Sequence, residues 1–182
     1  MKVLEEVMPG LVLLKVFSHK DDRGEFVKTF NDDAFSRFGI PFAPKEIVFS
    51  ISAKNVVRGM HFQVPPSDHH KLVSCSSGAI LDVVVDLRKG SPSFGRHAAF
   101  NLNETNRHVL MIPRGFAHGF LALEERSLVA YATDTVHDPS SDSGIAWDGF
   151  GFEWPVESPV VSDKDRNLPA LASFESPFVY QS

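Results

Sequence analysis

The chain has 182 residues, of which 43% are hydrophobic and 23% charged, and its formal net charge is −5 at pH 7. That length fits one domain, residues 1–182, with a sizeable core, and the acidic balance argues against a nucleic-acid partner, because phosphate contacts need a basic face. No apolar run approaches the roughly 20 residues that span a bilayer, the stretch Met1–Glu6 lacks a signal-peptide core, and a single cysteine, Cys75, permits no intrachain disulfide, so the expectation is a cytoplasmic protein with no membrane partner.

Leu11–Phe17 is an apolar run of strand length, and Asp21-Asp22-Arg23-Gly24 is a turn. Glu25–Phe30 alternates as a half-buried strand does. Asp32–Phe38 reads as the one short helix, with Asn31 or Asp32 as its cap and Gly39 as its stop. Pro41 and Pro44 make the next segment a loop. From Ile47 the pattern is strand after strand: Ile47–Ser52, Val56–Phe62, Lys71–Ser76, Ala79–Leu87, Ala98–Leu102, His108–Ile112, Phe116–Leu123 and Ser127–Asp134. Turn residues such as Ser77-Gly78 and Lys89-Gly90-Ser91-Pro92 punctuate them, and many short strands so spaced predict an all-β sandwich or barrel. Cys75 lies inside one of the apolar runs and reads as an inert core thiol. Beyond Pro139 the chain turns rich in Pro, Ser and Asp, but Trp147, Phe150, Phe152 and Trp154 remain as anchors. That composition predicts an ordered C-terminal wrap packed on the β-structure.

Two stretches carry the chemistry. Val56–Gln63 delivers His61 three residues after Arg58, and Ile112–Phe120 delivers His118 four residues after Arg114. Pro113-x-Gly115-x-x-His118 resembles the second motif of the cupin jelly-roll superfamily. Where the first cupin motif has a second histidine and a glutamate as metal ligands, this chain has Gln63 and, after a longer loop, Lys71. A charged lysine offers no acceptor and repels a divalent ion, so no metal is expected. Its ammonium suits a developing oxyanion instead.

Arg58-Gly-Met-His61-Phe-Gln63, Lys71-Leu-Val, Leu81-Asp-Val-Val-Val-Asp-Leu-Arg88, Ser91-Pro-Ser-Phe-Gly95, Ile112–Phe120, Trp147-Asp148, Trp154-Pro155 and Ser162-Asp-Lys-Asp165 follow one another in order. This series resembles the dTDP-4-dehydrorhamnose 3,5-epimerase family over about residues 10 to 170. The resemblance implies a cupin-type jelly roll that uses neither metal nor cofactor. It implies a homodimer acting on a nucleotide-diphosphate-linked 4-keto-6-deoxy sugar, with epimerisation at C3, C5 or both. Carried over residue by residue, the general base falls on His61, its carboxylate partner on Asp165, the tyrosine acid on Tyr131 and the enolate-stabilising lysine on Lys71. Arg58 and Arg23 match diphosphate-binding arginines, Arg23 reaching in from the partner subunit. Phe26, Lys28, Glu46, Val48, Gln63, His118, His137, Asp142 and Lys164 complete the implied substrate site.

These residue types suit the reaction. Removing a proton beside a ketone needs a base near neutral pH, which histidine supplies, and a carboxylate to orient the imidazole. The ketone oxygen needs a cation or donor as it becomes an enolate. Inversion needs an acid on the opposite face, here a phenol. His19, His97 and His108 carry no motif and read as exposed; whether His69 and His70, beside Lys71, reach a ligand is left open. Two rival readings also stay open: a cupin ketoisomerase and a non-catalytic nucleotide-sugar-binding protein.

The departures from the family cluster on the nucleotide side. The family has a glutamate where this chain has Lys28, a glutamine and an asparagine at Glu46 and Val48, a base-stacking tyrosine at His137 and a longer glutamate at Asp142. An ionised Glu46 only accepts hydrogen bonds and faces repulsion from O4 of thymine or uracil. The sequence therefore predicts a base other than thymine, cytosine or guanine before uracil.

Overall fold

A computed structural model describes residues 1–181. Two antiparallel sheets pack face to face. The six-stranded sheet runs, edge to edge, β1 (Lys2–Met8), β2 (Leu11–Lys15), β10 (His108–Ile112), β7 (Lys71–Ser77), β12 (Ser127–Thr133) and β5 (Glu46–Ser52). The five-stranded sheet runs β13 (Asp142–Gly144), β6 (Val57–Gln63), β11 (Phe116–Ala122), β8 (Ala79–Asp86) and β9 (His97–Asn103). A separate hairpin joins β3 (Phe17–Asp21) to β4 (Gly24–Lys28). This is the expected jelly-roll architecture in its open form, a sandwich whose sheets stay distinct.

The patterning explains the layers. Val73, Cys75, Leu110 and Val129 from one sheet meet Ile80, Val84, Phe116 and Phe120 from the other in the central core. Val83 and Val85, on the opposite face of β8, pack with Ile145, Phe150, Trp154 and Phe178 of the C-terminal wrap. A central strand covered on both faces reads as an unbroken apolar run, as Val83-Val84-Val85 does. On the far side of the six-stranded sheet, Val12, Leu14, Val109 and Met111 are covered by Phe35 of α1 (Asp32–Arg37) and by Phe42. Asn31 caps α1 through its side chain, which accepts from the Ala34 amide. Cys75 is buried, and burial pushes its thiol up to about 12, which keeps it protonated and unreactive.

Three expectations need correction. Lys2–Met8, where the sequence marks no strand, is the edge strand β1, and its exposed charged face hides the usual alternation. The run Leu11–Phe17 is divided at Val16, whose amide turns to the Arg107 carbonyl and sends the chain into the hairpin. The helix count was one too low. Asp163–Arg166 forms a second short helix, α2, followed by a 3-10 turn at Leu171–Ser173. α2 is a single capped turn, too short for hydrophobic periodicity to mark it, and its signal is the Ser162 hydroxyl accepting from the Asp165 amide.

Candidate active site

Between the sheets lies a cavity of about 900 Å³. Its walls come from different sheets. β6 and β11 supply Arg58, His61, Gln63 and His118, while β5, β7 and β12 supply Glu46, Val48, Ser50, Lys71 and Tyr131. His137 and Asp142 stand at the rim with Lys164 and Asp165 of α2.

Strand geometry accounts for the convergence. His61 and His118 are direct cross-strand partners. Strict alternation would turn residues 58 and 61 to opposite faces of β6, but the register slips by one residue between the His118–His61 and Phe120–Arg58 pairs. That bulge brings both side chains to the cavity. It needs two glycines. Gly59 has φ +126°, and a Cβ on it would lie 2.6 Å from Gly119 Cα; a Cβ on Gly119 would lie 2.6 Å from the Arg58 carbonyl oxygen. On the opposite sheet Thr133 pairs with Lys71 and Tyr131 with Val73, so Tyr131 and Lys71 are diagonal neighbours on one face.

His61 Nε2 lies 2.7 Å from Asp165 Oδ1, and the other carboxylate oxygen accepts from the Gly59 amide at 3.1 Å. Asp165 is 3% exposed. Burial alone would raise its pKa, but the bonds from His61 and Gly59 outweigh it and hold the carboxyl below its ordinary value. An ionised Asp165 accepts a hydrogen bond from the Nε2–H of neutral His61, which leaves Nδ1 with the free lone pair. Lys71 Nζ lies 3.5 Å from His118 Nδ1 and 6.0 Å from the centre of the Tyr131 ring. Burial brings the Lys71 ammonium down to about 8, with Asp82 and Asp142 opposing. Tyr131 is held by Ser50, oxygen to oxygen 2.9 Å, and burial pushes its phenol above the ordinary value, so it stays protonated. Arg58 Nε donates to Ser52 Oγ at 3.0 Å.

The cavity thus gathers His61, Lys71, Tyr131, Asp165, Arg58, Gln63, His118, Glu46, Val48, His137, Asp142 and Lys164. It does not gather Arg23, Phe26 or Lys28. All three sit on the β3–β4 hairpin, outside the cavity of their own chain; the Arg23 side chain is 88% exposed and pairs with Asp21, and Phe26 is exposed. Gln63 differs from a free substrate ligand. Its Nε2 donates to the Ser67 carbonyl at 2.6 Å and its Oε1 accepts from the Asp138 amide at 2.6 Å, so the amide ties two cavity loops together. Of the adjacent histidines, His69 lines the cavity, where burial and then the Lys71 charge bring it down to about 3 and keep it neutral. His70 instead pairs with Asp134. His19 and His97 are exposed, and His108 is half-buried.

Two features went unread in the sequence. Asp82 bonds His118 Nε2 at 2.8 Å from a fully buried position; an acid inside the run Leu81–Val85 was the available signal. Ser50 and Ser52, which hold Tyr131 and Arg58, carry none beyond strand alternation. Glu46 is also less free to repel thymine than its charge alone suggests, because one of its oxygens accepts from the His137 backbone amide at 2.8 Å. Part of the acceptor capacity assigned to the base anchors the rim.

Comparison with known proteins agrees with the geometry. The family description "dTDP-4-dehydrorhamnose 3,5-epimerase" matches residues 5–173. The dTDP-4-dehydrorhamnose 3,5-epimerase of Shigella flexneri is 37% identical over 170 residues, covering 92% of this chain and 94% of that protein. The crystal structure of the Bacillus anthracis dTDP-4-dehydrorhamnose 3,5-epimerase, with TDP and PPi bound, superposes with a TM-score of 0.91 at 39% identity over 93% of this chain and 99% of that one. The Legionella pneumophila dTDP-6-deoxy-D-glucose-3,5-epimerase, in complex with dTDP-4-keto-L-rhamnose, gives a TM-score of 0.93 at 31% identity over 100% and 99%. The chain belongs to the dTDP-4-dehydrorhamnose 3,5-epimerase family of isomerases.

Proposed function

We propose that this cavity inverts a carbon beside the ketone of a nucleotide-diphosphate-linked 4-keto sugar, at C3, C5 or both. His61 Nδ1 takes the proton from that carbon, and the C–H electron pair moves into the ring, leaving an enolate on the ketone oxygen. Lys71 stabilises the oxyanion, Tyr131 returns a proton to the opposite face, and solvent restores both groups. The product is an isomer, with no net gain or loss of protons or electrons. The observation that carries this reading is that a carboxylate-supported imidazole and a buried, protonated phenol approach one cavity from opposite sheets, with an ammonium beside the phenol. Arg58 and Lys164 suit the diphosphate, and the rim formed by Glu46, Val48 and His137 suits the base.

The names of the relatives favour a dTDP sugar, and the Glu46–His137 bond weakens the objection to thymine. The expected substrate is therefore a dTDP-linked sugar rather than the cytosine- or guanine-linked one that the sequence favoured. Solvent-deuterium incorporation, followed on 4-keto sugars linked to dTDP, UDP, CDP and GDP, tests the whole reading. Incorporation at C3 or C5 with dTDP preferred is expected. Preference for CDP or GDP restores Glu46 as a base reader, and no incorporation with any of them leaves only a binding protein.

The same reading makes the enzyme a homodimer in which the β3–β4 hairpin serves the neighbouring cavity with Arg23, Phe26 and Lys28. Support comes from the outer face of edge strand β5, where Ile47 is 63% and Phe49 62% exposed beside Ile51, a stripe that a second copy would cover. Mixing inactive His61→Ala and Arg23→Ala proteins should restore about a quarter of wild-type activity, because half of the molecules become hybrids with one complete site each. Recovery of none would place Arg23 outside any shared site.

A further inference from the structure

We infer that Asp82 is a positioning residue: through His118 it sets which imidazole nitrogen accepts, and thereby holds the Lys71 ammonium against the cavity. The inference rests on the proposed role of Lys71 at the enolate oxygen, and it names a residue that reaches the reaction only through two others.

Asp82 sits on β8 between Leu81 and Val83 and is 0% exposed. An apolar residue would occupy such a position at less cost than a carboxylate. Its Oδ2 lies 2.8 Å from His118 Nε2, while Oδ1, among the described residues, has no hydrogen-bond partner. An ionised carboxylate only accepts, so Nε2 carries the proton of that bond. Burial lowers the pKa of His118, with Asp82 and Lys71 pulling in opposite directions, and the ring stays neutral. A neutral ring protonated at Nε2 presents a lone pair at Nδ1, and that atom lies 3.5 Å from Lys71 Nζ. The line Asp82–His118–Lys71 therefore starts on a buried anion, passes through a fixed tautomer and ends on a buried cation.

The groups facing Lys71 from the surrounding elements are His118 of β11, Asp82 of β8, Tyr131 of β12, His61 of β6, Asp142 of β13 and His69 of the preceding loop. Only Asp82 and Asp142 are anionic. Asp142 is already paired with Lys164 at the rim, which leaves Asp82 as the buried counter-charge. With Lys71 brought down to about 8, loss of that counter-charge moves the ammonium further toward neutrality at the pH where the enzyme works.

Asp82→Asn keeps the shape and removes the charge, so either His118 tautomer becomes possible. The measurement is the pH titration of Lys71, followed by NMR of protein labelled at lysine Cε, together with the pH dependence of kcat for deuterium incorporation. The expected result is a fall in the Lys71 pKa of about one unit, an equal shift of the alkaline limb of kcat toward lower pH, and KM within about twofold. A merely structural role would lower kcat at every pH without moving the limb. Should Asp82→Asn fail to fold, Asp82→Leu removes the same charge with a side chain that suits the apolar run and should move the Lys71 titration the same way. An unchanged Lys71 titration overturns the inference even where incorporation is normal. A shifted titration in a protein that incorporates no deuterium upholds the inference on Lys71 and rejects the epimerase reading.

Discussion

His61 and His118 stand opposite each other on neighbouring strands, and each is bonded through Nε2 to an aspartate. There the likeness ends. The His61 side chain is 32% exposed to the cavity, its aspartate comes from α2 in the wrap, and its Nδ1 has no protein partner among the described residues. His118 is 4% exposed, its aspartate comes from the middle of the adjacent strand, and its Nδ1 meets an ammonium. One chemical pair thus serves two purposes. Where the second nitrogen is open it can take a proton from carbon; where a cation caps it, the same imidazole becomes a spacer between charges.

Substitutions on the open pair sharpen that contrast. His61→Ala should bring solvent-deuterium incorporation down to the background rate while nucleotide affinity, measured by calorimetry, stays within a few-fold. Near-normal turnover would mean that the capped imidazole is the base after all. Asp165→Asn should cost kcat about 10²–10⁴-fold with little change in KM, because the ring loses its fixed tautomer and the support for its protonated form. The same change should act on stability. The Asp165 carboxyl is held below its ordinary value in the folded protein, so its contribution is present above the unfolded value and lost as pH falls through the folded one. The gap in Tm between wild type and Asp165→Asn should therefore close in acid. Gln63→Ala should have the smallest effect, a rise in KM of several-fold with kcat nearly kept, since Gln63 ties the Ser67 and Asp138 loops together. A loss confined to kcat would instead put its amide on the reacting sugar.

How much of this the sequence carried depends on the range of the interaction. Strand alternation and turn residues forecast most of the two sheets, and the unbroken run Val83-Val84-Val85 marked a strand covered on both faces. The four residues that the proposed reaction uses, His61, Lys71, Tyr131 and Asp165, were singled out through the resemblance, and all four line the cavity. Missed features depend on contacts that periodicity does not encode. The bulge that turns both Arg58 and His61 inward is a register shift created by two glycines on neighbouring strands. Asp165 stood in the run Asp163–Arg166, which reads as solvated surface until Ser162 caps the turn and buries it. Glu46 was assigned to a base from its charge alone, because nothing in the sequence says that the His137 amide would claim one of its oxygens.

The wrap has one more consequence, in the life of the chain as it is made. Asp165 lies 21 residues beyond the end of β13 at Gly144, the last strand of the sandwich, and α2, which carries it, packs against β6 after Trp147, Phe150 and Trp154 in chain order. A nascent polypeptide can therefore assemble its β-layers before the base has an aspartate to lean on. Turnover becomes a readout of completed synthesis: a product that stalled or was clipped ahead of α2 would lack both that aspartate and the Phe178 that covers Val83 and Val85.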